Sequence, residues 1–476
     1  MSLTLIRPSG SKIAPVPRPL ISRDCGPAGC EVDWLASRRH EADLDFEGFN
    51  AFAMEQGWGD GLPLVPPTEV RVRQFLAEND RYPDEVIAHL PPSRAECTAE
   101  TIAINAVMAG AVPASLELLI AMVAAVADPD FELYGINTTT APVYPAFIVN
   151  GPIRGALDIP YGHGCLGGVA TRANAIGRAF RLIMRNVAGQ VAGVTSQTTF
   201  GSPGRLAGIL AGEWEEKSPW APLAERRAGI TGNAVSCFGT MGTMNILDTT
   251  SQAPRDFLEQ IGKSVPYVAA NCFTPAMPFA EMMVAINPIC AEIVAKEMPN
   301  IEDVQECLWR YASVPADLLQ RQHREQLEAQ HRVREDGRIY ATPEPKDFIV
   351  FVAGGLGGLH ATGFHSFGSC LTQTREIASA IPASEAQAAE YSGGKPQYRY
   401  PGAFRRRGLC RRYGNAGPAL PRRLHARARC GDALCRHLSG SRRIPRLPRH
   451  FRRDLRHREA GAIAHLFMQR SRLVGQ

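Results

Sequence analysis

The sequence predicts an α/β protein, a mixed sheet with helices, on three observations. Amphipathic segments with helical spacing alternate with short apolar runs bounded by Gly and Pro. Good helix starts recur, as in Thr98, Pro113 and Asn287-Pro288. No repeat of fixed period replaces that alternation, which favours strands and helices packed in layers. The chain divides into an N-terminal extended arm (1–45), an α/β body (46–395) and an Arg-rich tail (396–476).

The arm is rich in Pro and Gly and carries Cys25-Gly-Pro-Ala-Gly-Cys30, with His40 following. A helix is expected from Phe46 to Gln56. It is broken by Gly57-Trp-Gly-Asp60-Gly-Leu-Pro-Leu-Val-Pro-Pro-Thr68, whose glycines allow unusual φ values and whose prolines hold an extended path. This dozen reads as a pinned connector that supplies shape, with Asp60 satisfying turn amides. Thr68 caps a helix with Val72, Phe75 and Leu76 on its apolar face. A helical pair over Thr98–Ala111 and Pro113–Ala127 follows; its second member is too short for the roughly 20 apolar residues of a membrane span.

Residues 141–150, ending at Asn150, form a buried strand closed by a Gly-Pro turn. Gly162-His163-Gly164-Cys165-Leu-Gly167-Gly168 then leads into a helix from Ala173 to Val187. Ile176, Phe180, Ile183 and Val187 are its core stripe, and Arg178, Arg181 and Arg185 line another side. Further helices are expected around Asp256–Lys263, Pro288–Lys296 and, in polar form, Ala316–Arg334. Lys346–Ala353 is a strand and Gly354-Gly355-Leu-Gly357-Gly358 the turn after it, with His360 at its rim.

Charge is divided unevenly. From Gln397 onward there are 21 Arg, no Lys and 3 acidic residues; the 396 residues before hold 31 basic and 44 acidic, a net of −13. An acidic body argues against nucleic acid as its partner, because phosphate binding needs clustered cations. The tail has the composition of a GC-rich reading frame translated out of register; its alternative is a basic arm that binds nucleic acid. Nine of the twelve cysteines are spread through the first 395 residues, and the first residues show no secretory signal pattern, so reduced thiols in the cytoplasm are expected.

The connector, with Ala103-Ile-Asn-Ala-Val-Met-Ala-Gly110, Phe147-Ile-Val-Asn-Gly-Pro-Ile153, Arg172-Ala-Asn-Ala-Ile-Gly-Arg178 and Val352-Ala-Gly-Gly355, resembles a bacterial family related to the UGSC-motif (seleno)proteins. The likeness covers roughly residues 50–370, and it implies thiol or selenol redox chemistry. This chain departs from the pattern: Ala111 and Cys290 stand where relatives tend to carry Cys and His, and the UGSC signature is absent.

Candidate chemistry follows from residue types. Cys290 falls in the first turn of a helix behind an N-cap Asn, where amide hydrogens and the dipole favour thiolate. Cys165 is a second nucleophile candidate and His163 its base. Gly162, Gly164, Gly167 and Gly168 with Arg172 could seat an anion at a helix start, and Asn150, Gly354, Gly355, Gly357 and His360 complete the expected substrate contacts. Cys25 and Cys30 are separated by four residues and lack a second pair, so no metal is assigned. No G-x-S-x-G, H-E-x-x-H or Walker motif is present, and no cofactor is named. The leading expectation is an enzyme of thiol redox, lyase or transfer chemistry at sulfur on a small anionic molecule. A ligand-binding or partner subunit without chemistry is the alternative, and a homo-oligomer is left open.

Overall fold

A long bent strand organises the sheet, and the segments before it build one wall around that sheet. The computed structural model describes residues 3–6, 35–42, 44–277 and 281–378. Cys25, Cys30 and the Arg-rich tail lie outside the described residues. Within the expected arm, β1 (Leu3–Ile6) pairs antiparallel with β2 (Arg39–Ala42), so part of it is a two-stranded ribbon. The N–H groups of Ala36 and Ser37 donate to the buried Glu100 carboxylate at 3.0 and 3.1 Å.

Helix α1 (Phe46–Glu55) starts where the Asp45 carboxylate accepts the Gly48 N–H, and α2 (Glu69–Glu78) buries Val72, Phe75 and Leu76. The connector between them is held by its neighbours. Trp58 is buried edge-on to Phe52, Leu64 N–H donates to Asn50 and Val65 N–H donates to the Met108 carbonyl. The hairpin β3 (Val86–Leu90) and β4 (Ala95–Thr98) delivers α3 (Ala99–Ala109), whose Thr98 and Thr101 cap each other's backbone. Every residue of α3 is buried. After a 3-10 turn at Pro113, α4 (Leu116–Val126) buries even Glu117, which pairs with Arg81; α5 (Leu133–Thr138) follows.

The sheet begins with β5 (Tyr144–Asn150), buried throughout. After α6 (Ile153–Ala156), the amphipathic α7 (Ala173–Asn186) and α8 (Gly204–Ala207) comes β6 (Ile209–Gly212), parallel to β5. Helix α9 (Leu223–Ala228) precedes β7 (Ala234–Leu247). The chain continues through α10 (Pro254–Ser264), β8 (Met282–Ile286), α11 (Pro288–Glu297), α12 (Ile301–Tyr311), β9 (Ser313–Pro315), α13 (Arg321–Ala329), β10 (Arg338–Tyr340), β11 (Phe348–Val352), β12 (His360–Ser366) and β13 (Gln373–Glu376). The expected polar helix over 316–334 is shorter than its pattern. Leu319 and Leu327 are the large apolar anchors of that stretch, and the backbone leaves helical φ at His331 before the Asp336-Gly337 turn.

The mixed sheet has the order β11-β8-β12-β7-β5-β6, with β13 also on β7. The first half of β7 pairs β5 and β13 on opposite edges, and its second half pairs β12. This curls the sheet so that its two halves face each other. Tyr144, Ala146 and Ile148 of β5 meet Met283 and Ala285 of β8, Ile349 and Phe351 of β11, and Phe364 of β12 in one interior cluster. The intervening residues point outward: Phe147 and Val149 join the core with α3, α4 and α7, while Val284, Ile286, Val350 and Val352 join the core with α10, α11 and α12. Period-two alternation therefore serves three cores at once. Among the described residues, no helix is long and apolar enough to cross a membrane.

Asp60 fastens the connector to α7. Arg178 Nε and Nη2 donate to its two carboxylate oxygens at 2.8 and 2.7 Å, and Arg178 also donates to the carbonyls of Pro63 and Leu62. Burial alone would push the Asp60 carboxyl up, but Arg178 and the Leu62 N–H outweigh it and hold it below the usual value. A depressed folded value adds stability above the unfolded pKa of about 3.9 that is lost as pH falls through the folded one. Asp60→Asn is expected to cost roughly 1 kcal/mol in urea unfolding at pH 7, the pair being only partly buried. The gap to wild type should close in acid; an unchanged gap at pH 2 would contradict this assignment.

Candidate functional site

The curl brings the ends of β6 and β11 together, although they are the two edges of the sheet. Trp214 N–H, just past β6, donates to the Val352 carbonyl at 2.7 Å, and Gly354 N–H, just past β11, donates to the Tyr161 carbonyl at 2.8 Å. Arg226 Nη2 donates to the Val350 carbonyl at 2.6 Å, and Gly212 N–H to Pro160 at 2.9 Å. Loops 160–168 and 354–358 thus meet along one seam.

At this seam Cys165 is buried within the interior cluster that includes Phe351 and Ala353. Burial pushes its thiol up to about 11, against the opposing pull of the N–H groups of Cys165 itself, Gly354 and Leu166. His163 is exposed, and its ring lies on Gly355 so closely that a Cβ there would come 2.5 Å from Cδ2. Gly162 is buried, whereas Gly164, Gly167 and Gly168 are exposed with φ of +68°, +145° and +89°. Gly354 has φ +99°, and both it and Gly357 border open space.

Cys290 reaches the other end of the same turn. Asn287 caps α11 by accepting the Cys290 N–H at 3.0 Å, and its amide donates to Cys290 Sγ at 3.2 Å and to the His360 carbonyl at 2.7 Å. Cys290 Sγ in turn donates to the Gly358 carbonyl at 3.1 Å. The expectation of a helix-start thiolate therefore needs correcting. Burial raises this thiol, the Asn287 amide opposes it only in part, and the Asp248 carboxylate adds to the rise. The amide that would have favoured thiolate is already used by the cap. Cys290 is a protonated tie between α11 and the glycine turn.

Three expected contacts stand differently. Asn150 is buried with its amide donating to Glu213 and Glu215 and its oxygen facing the Ala224 N–H, so its polar atoms are committed inside the protein. Arg172 is exposed, with Nη1 3.4 Å from the Ala156 carbonyl. His360 is exposed with Nδ1 3.1 Å from Asn245 Oδ1. His40 packs edge-on to Phe52 and Trp58. Among the described residues, no group of three or more His, Cys, Asp or Glu could hold a metal ion.

Sequence reasoning passed over the acidic run at the seam. Glu213 is fully buried, and its Oε2 accepts from Asn150 and from the Leu223 N–H, while Oε1 has no hydrogen-bond partner among the described residues and has Arg226 Nη2 3.9 Å away. Burial pushes its carboxyl up. Arg154, itself buried, pairs with Glu215 and Glu216 and lies over the Tyr161 ring. Two acids flanking Trp214 at the end of an apolar strand were the available signal.

The chain matches no family model and no curated protein.

Both sulfurs should react slowly in the folded protein. Iodoacetamide at pH 7.5 is expected to label Cys165 and Cys290 at least about tenfold more slowly than free cysteine, whose pKa is near 8.5. The Cys165 rate should climb with pH toward 11. Labelling as fast as a free thiol at pH 7.5 would contradict the protonated state.

Proposed function

We propose that the chain is an enzyme acting on a small anionic molecule at the seam, through Cys165 and His163. The observation that supports this is the meeting of two loops that are distant in sequence: Gly354 contributes an N–H near the Cys165 sulfur, while the next residue, Gly355, carries the His163 ring. Cys165 is the nucleophile in this reading. Cys290 is passed over because its S–H is already donated to Gly358. A thiol held above neutrality needs a base at the moment of reaction, and His163 fills that role. The Leu166 N–H beside the sulfur then favours the anion that forms, while those of Gly354 and Cys165 are shared with the Tyr161 and Gly162 carbonyls. Thiol redox, or lyase or transfer chemistry at sulfur, is the class, in keeping with the resemblance to UGSC-motif proteins. One observation favours a ligand-binding subunit without chemistry instead: both sulfurs rest protonated.

A turnover screen over small anionic disulfides, thioesters and sulfur-substituted acids tests the proposal. For any substrate found, Cys165→Ala is expected to abolish turnover. His163→Ala should lower it by about 100-fold or more, and Gly355→Ala, which displaces the ring, should lower kcat. Full turnover by folded Cys165→Ala would overturn the reading.

A further inference from the structure

The second face of α7 has an unmet demand for negative charge. Of its three arginines, Arg178 is spent on Asp60. Arg181 is 7 % exposed and meets no carboxylate among the described residues; Nε donates to the Arg205 carbonyl at 3.1 Å and Nη2 donates to Gln190 Oε1. Its Nη1 has no partner among the described residues, and neither has Gln190 Nε2, although both atoms are buried.

Arg181 and Gln190 line a cavity of about 470 Å³, and Arg185 and Arg205 also line it. The Arg205 guanidinium is held by the carbonyls of Val143 and Ala141 and by Ser196 Oγ, none of them charged. Among the described residues Asp60 is the only acidic one in the lining, and Arg178 already neutralises it. Among the described residues, three guanidinium groups therefore face this space without a counter-charge. Leaving buried cations and donors unmatched is costly, and an oxyanion offers the acceptors and the charge that both groups lack. Burial, and then the like charge of Arg205, pull Arg181 down to about 9, so it remains a cation at pH 7. On the rim, Phe200 is 96 % exposed, an aromatic face that the protein itself does not cover. The volume suits a small molecule.

We infer that this cavity binds a small oxyanion, a carboxylate or phosphate ester, carried on an aromatic or apolar skeleton that rests on Phe200. The site is separate from the seam: neither Cys165 nor His163 lines it, and the inference does not depend on the thiol reading.

Calorimetric titration of the full chain at pH 7 with phenyl phosphate, benzoate and uncharged benzyl alcohol tests it. At least one of the two anions should bind one-to-one and raise Tm, while benzyl alcohol should do neither. A preference for phenyl phosphate or for benzoate identifies the phosphate or the carboxylate as the natural group. Arg181→Gln and Gln190→Leu should each weaken the anion by about tenfold or more. Because Arg181 is buried in the fold, Arg185→Gln, at a partly exposed position, serves as the second variant and should weaken binding several-fold. No saturation by either anion up to about 10 mM (about −2.7 kcal/mol), or equal affinity in folded Arg185→Gln and Gln190→Leu, overturns the assignment.

Discussion

The hydrogen bond from Trp214 N–H to the Val352 carbonyl joins the two outer edges of the sheet, and the candidate site depends on that closure. A flat sheet in the order β11-β8-β12-β7-β5-β6 would hold β6 and β11 apart by the width of the strands between them. The bend of β7 near Thr240, where pairing passes from β5 to β12, removes that distance. Both edges also gain protection, since the seam occupies backbone groups that an open edge would expose. Glu213, Asn150 and Arg226 then fill the space behind the seam with polar contacts, and Arg226 ties α9 to β11.

Much of this was legible in the chain where local pattern and tertiary demand agree. Helices α3 and α4 fall where the helical pair was expected, and the residues of α7 chosen for the core, Ile176, Phe180, Ile183 and Val187, are buried. β5 and β11 read as continuous apolar runs because both of their faces are covered. β7 was not legible: Gly239 and Gly242 interrupt it, and its second half is partly exposed, so it has neither a continuous run nor a clean alternation. Helix α12 carries its stripe of Ile301, Val304, Cys307 and Leu308 plainly and lay within reach of the pattern rules.

The site was half legible for the same reason. Spacing located the sulfurs and glycines, but it carries no information about burial, which decides their protonation. A helix-start cysteine is activated only when its amide and dipole remain free, and at Cys290 the Asn287 cap had taken the amide. The arginines of α7 make the same point. Alike in sequence, they divide into a clamp on Asp60 (Arg178), a buried cation (Arg181) and a rim group reaching the Gly57 carbonyl (Arg185). Only the partners on neighbouring segments separate these roles.

Amide hydrogen exchange at Trp214 and Gly354 tests the closure of the sheet most directly. Both residues lie outside regular strands, so local structure alone would leave them exchanging within seconds. The seam predicts protection comparable to the buried amides of β5, lost only when the whole protein opens. Fast exchange at both amides in an otherwise protected protein would mean that the edges do not meet and that Cys165 and the glycine turn share no site.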